Sequence, residues 1–338
     1  MITLGAAHFW LMFTRSPFAL VVPAVSAALG MLGSATSHPA PGVTAVTDHV
    51  IATASSATLR YWTVERMRRA VVPPQRSHLS AKGGADGGPA AGTPVTIPGS
   101  VPEQQSSRRS VATPGAPWTS RGAVRATTGK VFFTINGGDY VCSAGTVASA
   151  NRDLVVTAGH CARDAAGNWA EHWIYVPGYD QGRRPYGAFP ARHLFVPGPW
   201  TTRGDENYDV ALVALSTSGK RHVTDVVGAQ GIAFDQPRGA LVYGFGYPAG
   251  GRYDGERLTY CSGRTYPDSH KITKDEGLRC DMTEGSSGGP WLTRFDAGTG
   301  TGVVTSVSSF KYADDPATMY GPYFGNAIRR MYDRAQQA

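Results

Sequence analysis

Short apolar runs separated by turn-forming residues dominate the chain from about residue 118 onwards. The runs are rich in Val, Leu, Ile and Phe, and Gly, Pro, Asn and Asp stand between them. They occupy residues 131–135, 141–147, 154–158, 173–176, 210–215, 241–245 and 303–307. Several short strands at this spacing predict an all-β barrel or sandwich, and the pattern alone does not decide between the two.

A helical pattern is present near the end of the chain, over residues 324–335. Ile328, Met331, Tyr332 and Ala335 are spaced so that they share one face of a helix. We therefore expect a terminal amphipathic helix whose apolar face packs on the β-structure.

The first 37 residues have the pattern of a secretory signal peptide. Arg15 precedes a mostly apolar run over 18–32, and small residues follow at 33–37. The apolar run is shorter than the ~20 residues that a membrane-spanning helix needs. We therefore predict a signal peptide at 1–37, a secreted protein and no stable membrane association; an uncleaved anchor is the alternative.

Residues 38–117 have the composition of a linker rather than of a folded domain. They are rich in Ala, Ser, Thr, Gly and Pro, most clearly at 82–98, and lack sustained apolar periodicity. Such a segment buries too little apolar surface to offset its ordering entropy, so we predict mostly disorder. An aromatic and basic island at 61–71, where Thr63 is a candidate helix cap, is either a transient helix or part of a pro-segment that docks on the following domain.

The charge distribution argues against a nucleic-acid partner. The whole chain carries a net charge of +7. Residues 1–117 hold nine basic and four acidic residues, whereas 118–338 hold 23 basic and 21 acidic residues. The predicted domain therefore lacks the strong basic bias of a nucleic-acid-binding protein.

Three short motifs carry the candidate chemistry. His160 lies in the string T-A-G-H-C at 157–161, Asp209 begins an apolar run, and Ser287 lies in the string G-S-S-G-G-P at 285–290. A serine hydroxyl becomes a useful nucleophile when an imidazole takes its proton, and a carboxylate fixes the tautomer of that imidazole. All three groups are present in the order His, Asp, Ser, which indicates a serine endopeptidase.

These motifs resemble those of the chymotrypsin-like (trypsin-like) serine peptidases over residues 118–338. Within that family the sequence looks closest to secreted bacterial enzymes of the glutamyl-endopeptidase-like branch. The resemblance implies two antiparallel six-stranded β-barrels with a C-terminal helix. It also implies that His160 is the general base, Asp209 its orienting acid and Ser287 the nucleophile. The backbone N–H groups of Gly285 and Ser287 would form the oxyanion hole.

Each assignment has a neighbouring rival in the sequence. Ser286 competes with Ser287, but the spacing to the following glycines favours Ser287. Asp205 and Glu206 compete with Asp209, but they lie in a segment that we predict to be an exposed turn. Trypsin has an aspartate where this chain has Ser286, so we do not expect activation through an ion pair with a newly formed N-terminus.

Four cysteines in an exported chain indicate disulfides. Three pairings are possible, and we favour Cys142–Cys161 and Cys261–Cys280. The first would tie a strand to the backbone beside the histidine, and the second would close a short segment before the nucleophile loop. A metal site is the alternative, but the chain has no paired C-x-x-C and no H-E-x-x-H motif. We expect no metal and no cofactor.

Two residues are candidates for substrate binding. Asp281 lies six residues before Ser287, the spacing at which trypsin holds the acid that attracts a Lys or Arg side chain of the substrate. The resemblance to the glutamyl-endopeptidase-like branch points instead to an acidic residue. Thr305 occupies the wall segment in which the glutamyl-specific enzymes have a histidine, so both specificities stay open.

Together these observations predict a secreted, monomeric serine endopeptidase that cleaves protein or peptide substrates through an acyl-enzyme. One alternative is a catalytically silent binding or adhesion protein on the same scaffold. Another is an esterase with a G-x-S-x-G elbow, but that class has the order Ser, acid, His in an α/β fold. The pair at 108–109, two arginines, is a candidate maturation site.

Overall fold

The computed structural model describes residues 45–73, 88–100 and 112–338. The predicted signal peptide at 1–37, the candidate maturation site at 108–109 and residues 82–87 of the predicted linker lie outside the described residues. Within the described ranges, the helices are all too short or too polar to cross a membrane.

The described parts of the chain are mainly β-structure. The strands are β1 (Val46–Val50), β2 (Val95–Ile97), β3 (Thr113–Pro117), β4 (Thr128–Ile135), β5 (Gly138–Thr146), β6 (Leu154–Thr157), β7 (Glu171–Pro177), β8 (Phe189–Pro197), β9 (Ala211–Leu215), β10 (Gly231–Phe234), β11 (Leu241–Gly246), β12 (Thr259–Arg264), β13 (Tyr266–Pro267), β14 (Glu276–Arg279), β15 (Pro290–Asp296), β16 (Thr301–Val307), β17 (Phe310–Tyr312) and β18 (Asp315–Gly321). The helices are α1 (Ser55–Tyr61), α2 (Val64–Arg69), α3 (Ala123–Thr127), α4 (Gly198–Arg203), α5 (Val223–Val227) and α6 (Asn326–Ala335).

Six strands of the first half close into an antiparallel barrel. Their order is β8–β7–β4–β5–β6–β9, and pairing between β8 and β9 closes the barrel. Successive side chains of a strand point to opposite faces. Accordingly, Val131 and Phe133 of β4 cluster with Trp173 and Val213, whereas Phe132 belongs to a different apolar cluster.

The second half contains two further sheets. One has seven strands in the order β2–β10–β16–β15–β11–β12–β3, and the other has four in the order β13–β14–β18–β17. Most pairs are antiparallel, but β10 and β16 are parallel. The predicted all-β fold is confirmed, with one closed six-stranded antiparallel barrel and a C-terminal helix. Where a second six-stranded barrel was predicted, the structure has these two sheets.

The described part of residues 38–117 is more ordered than its composition predicts. It contains β1, β2, β3, α1 and α2. β1 pairs with β8, β2 with β10 and β3 with β12, each antiparallel. Sheet edges offer unpaired N–H and C=O groups to any extended segment, whatever its side chains. The difference arises because these long-range backbone pairings leave little trace in composition.

The C-terminal helix has the predicted apolar face. Ile328, Met331, Tyr332 and Ala335 are all buried in α6. The hydroxyl of Tyr332 donates a hydrogen bond of 2.7 Å to the carbonyl oxygen of Ala148. The helix therefore anchors the end of the chain against the first barrel.

Two disulfides connect the four cysteines in the favoured pairing. Cys142 of β5 is bonded to Cys161, and Cys261 of β12 is bonded to Cys280. The first links β5 to the turn that follows β6. The second links β12 to the segment after β14, shortly before the nucleophile loop.

Replacing both Cys261 and Cys280 by alanine should lower the free energy of unfolding by about 3 kcal/mol. The pair closes a loop with a sequence separation of 19, and the loss of that constraint on the unfolded chain sets the magnitude. Urea unfolding followed by tryptophan fluorescence measures it. An unchanged midpoint and slope would show that this disulfide contributes nothing to stability.

Candidate active site

The three predicted triad residues, His160, Asp209 and Ser287, meet at a cavity of about 350 Å³. Both halves of the fold contribute to its walls, and so does the N-terminal segment through Pro73. Its lining includes Pro73, Tyr140, His160, Glu206, Asp209, Glu284, Ser287, Ser309, Phe310, Lys311 and Met319.

His160 projects into the cavity from a fixed backbone. It lies in a single 3-10 turn, Gly159–Cys161, that directly follows β6. The disulfide of Cys161 ties this turn to β5, and the indole N–H of Trp173 donates to the Cys161 carbonyl oxygen at 3.0 Å. The imidazole itself is partly exposed, so it is held in place yet accessible.

Asp209 holds the imidazole of His160 in one orientation. Its Oδ2 lies 2.8 Å from Nδ1 of His160, and its Oδ1 accepts a 2.8 Å hydrogen bond from the backbone N–H of His160. Because a carboxylate only accepts hydrogen bonds, Nδ1 carries the proton and donates it. The lone pair of the neutral ring is then on Nε2.

Ser309 is a further partner of this carboxylate that the sequence analysis missed. Its hydroxyl donates to Oδ2 of Asp209 at 2.5 Å, and both side chains are buried. Ser309 belongs to the second half of the fold, between β16 and β17. Its serine neighbours in the sequence give no local signal that would single it out.

The predicted rivals of Asp209 are buried rather than exposed. Asp205 is 1% exposed, and its carboxylate accepts hydrogen bonds from the backbone and side-chain amides of Asn207. It therefore caps the turn that precedes Asp209. Glu206 is also buried and lines the cavity. The exposed turn expected from polar composition is wrong because these polar groups are used within the fold.

Another buried acid lies near this carboxylate. Burial, together with the nearby charges of Glu206 and Asp209, raises the pKa of Asp275 well above its usual range. The Asp275 side chain is fully buried, so its neutral form is favoured. It therefore adds little negative charge beside Asp209.

The nucleophile loop places Ser287, not Ser286, in the cavity. Ser286 is fully buried, and its hydroxyl donates to the carbonyl oxygen of Thr283 at 2.6 Å. Ser287 lines the cavity with His160. Gly285 has a φ of +89°, a conformation in which a side chain would be strained, so the turn requires glycine there.

Two backbone donors of this loop are left for a ligand. The N–H groups of Ser286, Gly288 and Gly289 each donate to a carbonyl oxygen of the protein. Those of Gly285 and Ser287 donate to no acceptor among the residues that the structure describes. Such donors beside a nucleophile stabilise negative charge that develops on a carbonyl oxygen.

Ser143 of β5 holds this loop from the opposite half of the fold. Its backbone N–H donates to the Ser287 carbonyl oxygen at 2.8 Å, and its hydroxyl donates to that of Gly285 at 2.9 Å. The same hydroxyl accepts from the N–H of Tyr247 at 2.9 Å. The sequence analysis missed this residue; its only signal is its position directly after Cys142.

The two candidate substrate-binding residues do not line the cavity. The Asp281 carboxylate accepts hydrogen bonds from Arg252 at 2.7 Å and from the Tyr253 hydroxyl at 2.5 Å. Thr305 of β16 lines a separate, much smaller cavity. Spacing from Ser287 gives the position of Asp281 in the chain but not the direction of its side chain.

A cysteine–histidine group beside the cavity does not suit a metal ion. Cys142, His160 and Cys161 bring their ligand-type atoms within 4.8 Å of one another. Both sulfur atoms are bonded to each other in the disulfide, so neither is a thiolate that could bind a metal. The nitrogen Nδ1 of the imidazole is already bonded to Asp209.

Comparisons with known proteins place the chain among peptidases. The Trypsin-like peptidase domain family matches residues 142–303. The solved structure of the protease Anisep from Arthrobacter nicotinovorans is 39% identical, with a TM-score of 0.61, over 63% of this chain and 96% of that chain. A thermostable serine protease, AL20, from an extremophilic microorganism is also 39% identical, with a TM-score of 0.61, over 64% and 99%.

Two more distant matches add less. A Glu endopeptidase structure is 18% identical with a TM-score of 0.53, over 66% of this chain and 97% of that chain, which shows the fold alone. An extracellular metalloprotease of Bacillus subtilis (strain 168) is 34% identical over 68 residues, 20% of this chain. The chain spans only about a fifth of that protein, 22% of its length.

The two structures that are 39% identical are covered almost completely by this chain. They show that the chain belongs to the trypsin-like serine peptidases.

Replacing Ser143 by alanine should lower the free energy of unfolding by about 1–3 kcal/mol. The change leaves the carbonyl of Gly285 and the N–H of Tyr247 buried without this partner, and such groups cost that much when unpaired. Chemical denaturation measures the loss. Ser149→Ala, at a partly exposed serine whose hydroxyl bonds only to Asn151, is the matched control; equal effects of the two changes would contradict the expected role.

Proposed function

We propose that this protein is an exported serine endopeptidase that cleaves peptide bonds through an acyl-enzyme, with His160, Asp209 and Ser287 as its catalytic triad. The observation that carries the proposal is the composition of the cavity. It combines a serine, an imidazole whose Nδ1 is held by a buried carboxylate, and two backbone donors without a protein acceptor.

The chemistry follows from the orientation of the imidazole. With Nδ1 donating to Asp209, Nε2 accepts the proton of the Ser287 hydroxyl as its oxygen attacks the substrate carbonyl. The N–H groups of Gly285 and Ser287 stabilise the oxyanion, each contributing about 10²–10³ in rate. His160 then gives the proton to the leaving amine, and water hydrolyses the acyl-enzyme by the same route.

The partners of Asp209 support this role. The carboxylate accepts hydrogen bonds from the backbone and the ring of His160 and from the Ser309 hydroxyl. These donors favour its charged form despite its burial. The charged carboxylate stabilises the imidazolium that forms when the serine is deprotonated.

The cellular setting is part of the proposal. Two disulfides are typical of proteins in oxidising compartments, and the sequence of residues 1–37 has the pattern of a cleavable signal peptide. We infer secretion. We further propose that it acts as a monomer on protein or peptide substrates.

We also propose that residues 38–117 form an inhibitory pro-segment. The indole of Trp62 is 1% exposed and donates to the carbonyl oxygen of His172 at 2.5 Å. The Tyr61 ring stacks on His172 with ring centres 4.0 Å apart. Both the Tyr61 hydroxyl and the Arg66 guanidinium donate to Asp139, each at 2.7 Å.

The chain that follows α2 leads from this docking site to the cavity. The N–H of Val71 donates to the Asp139 carbonyl oxygen at 3.0 Å, and its own carbonyl accepts from the N–H of Val141 at 2.9 Å. Pro73 then lines the cavity next to Tyr140. The segment thus uses the edge of β5 that adjoins the cavity, so an extended substrate would compete with it for that edge.

Replacing Ser287 by alanine in the full chain should lower turnover by about 10⁴–10⁶, because the residual rate comes from the oxyanion donors and binding alone. Incubation with a diverse peptide mixture, followed by sequencing of the products, measures this. Ser286→Ala is the matched control, and it should retain far more activity because that hydroxyl points away from the cavity. The reverse result would place the nucleophile one residue earlier.

Replacing Arg66 by alanine should raise the hydrolysis rate of the full chain by about two- to fivefold. The change removes a partly exposed ion pair with Asp139 and so weakens docking of the segment, while every residue of the peptidase domain is kept. Arg69→Ala is the matched control, since Arg69 is exposed and pairs only with Glu65. Equal rates for wild type, Arg66→Ala and a Trp62→Ala variant would show that the segment does not inhibit.

A further inference from the structure

Lys311 is a cation in the wall of the cavity that the proposed mechanism does not use. It lies in the middle of β17, two residues after Ser309, and lines the cavity with Phe310 and Met319. Its side chain is partly buried. The sequence analysis did not identify it, because its relation to the cavity depends on how β17 packs against the nucleophile loop.

The ammonium group of Lys311 is bound only to neutral partners. It donates to the carbonyl oxygen of Cys280 at 2.7 Å and to that of Pro316 at 2.6 Å. An ammonium has three N–H donors, so one is left. Among the described residues, no carboxylate lies within 4 Å of it in an ion pair. Its charge is therefore available to a ligand.

Three acidic groups face this ammonium without pairing with it: Asp281, Glu284 and Asp315. The Asp281 carboxylate is bound by Arg252 and the hydroxyl of Tyr253. The Glu284 carboxylate packs closely against Gly250. Its Oε2 would lie only 2.7 Å from a Cβ atom if one were added to that glycine.

Asp281, the acid whose spacing from Ser287 suggested that it attracts a basic substrate residue, is therefore not available for that purpose. Asp281 is bound by Arg252 and does not line the cavity, and the carbonyl of its neighbour Cys280 accepts from Lys311. The Lys311 ammonium still lacks a paired anion, and a ligand carboxylate that supplied one would offset the cost of its partial burial.

We propose that Lys311 determines the specificity of the peptidase by binding the side-chain carboxylate of an Asp or Glu at the substrate residue whose carbonyl Ser287 attacks. The inference rests on the proposed function. The apolar stems of such side chains would pack against Phe310 and Met319, and their carboxylate would take the remaining N–H of Lys311.

The charge of Lys311 also gives the selectivity a pH dependence. Burial lowers the pKa of Lys311 to about 8, although Asp281, Glu284 and Asp315 act in the opposite direction. The ammonium is charged below this pKa and neutral above it. Selectivity for an acidic residue should therefore be full near neutral pH and decline as the pH rises through about 8.

The test compares quenched fluorogenic peptides that differ only in Glu, Gln or Lys at the cleaved position, using the full-length protein. Glu and Gln are nearly isosteric, so the ratio of their kcat/KM values isolates the charge. We expect a Glu:Gln ratio of at least about tenfold for wild type, with Lys cleaved more slowly than either. Lys311→Met should bring the ratio close to one.

Two variants separate charge from packing. Lys311→Arg introduces a guanidinium whose pKa lies above the tested range, so it stays positively charged. The Glu:Gln ratio of this variant should therefore persist from pH 7 to pH 9.5, while that of the wild type falls. Lys220→Ala, at an exposed lysine outside the cavity lining, should leave the ratio unchanged. These pH profiles keep the proposal testable even if Lys311→Met folds poorly.

The proposal would be overturned by cleavage with no preference for Glu over Gln, by a preference for Lys, or by an unchanged ratio in Lys311→Met. Those results leave the peptidase assignment intact. A different pattern, in which neither the wild type nor Arg66→Ala, with its weakened docking of the N-terminal segment, cleaves more peptide than Ser287→Ala, would refute the proposed function and this specificity together.

Discussion

The hydrogen bonds of Ser143 are the contact on which the geometry of the whole site depends. This residue belongs to the closed barrel, whereas the loop that it binds belongs to the other half. A catalytic serine and its base gain effectiveness only if they are held within a fraction of an ångström. The disulfide of Cys142 fixes the same stretch of β5 to the turn that carries His160. One strand therefore sets the positions of both His160 and Ser287, the proposed base and nucleophile.

The buried carboxylate of Asp209 is a second constraint on the fold, because it needs hydrogen-bond donors around it. A carboxylate that is 1% exposed is stable only with several donors, and here those donors come from both halves. His160 supplies a backbone and a ring N–H, and Ser309 supplies a hydroxyl. The same contacts that satisfy the charge also fix the imidazole. Stability and orientation of the site thus have one physical cause.

The sequence predicted residues whose roles depend on local motifs, and it missed those that depend on contacts between distant segments. His160, Asp209 and Ser287 each lie in a short string with its own signature, and the structure brings all three to one cavity. Ser143 and Ser309 act through partners far along the chain, and no spacing reveals them. Order in residues 45–73 was likewise missed, because the strand β1 pairs with β8, whose position depends on contacts between distant segments.

Two parts of the cavity lining differ in what they can recognise. Pro73 and Tyr140 lie where the N-terminal segment pairs with the edge of β5. Lys311 and Met319 belong to the last strands of the second half. Backbone pairing is insensitive to side-chain identity, whereas a buried cation discriminates by charge. A segment that blocks the first part, as proposed, therefore need not resemble a good substrate at the second, so the proposed latency and selectivity can change independently.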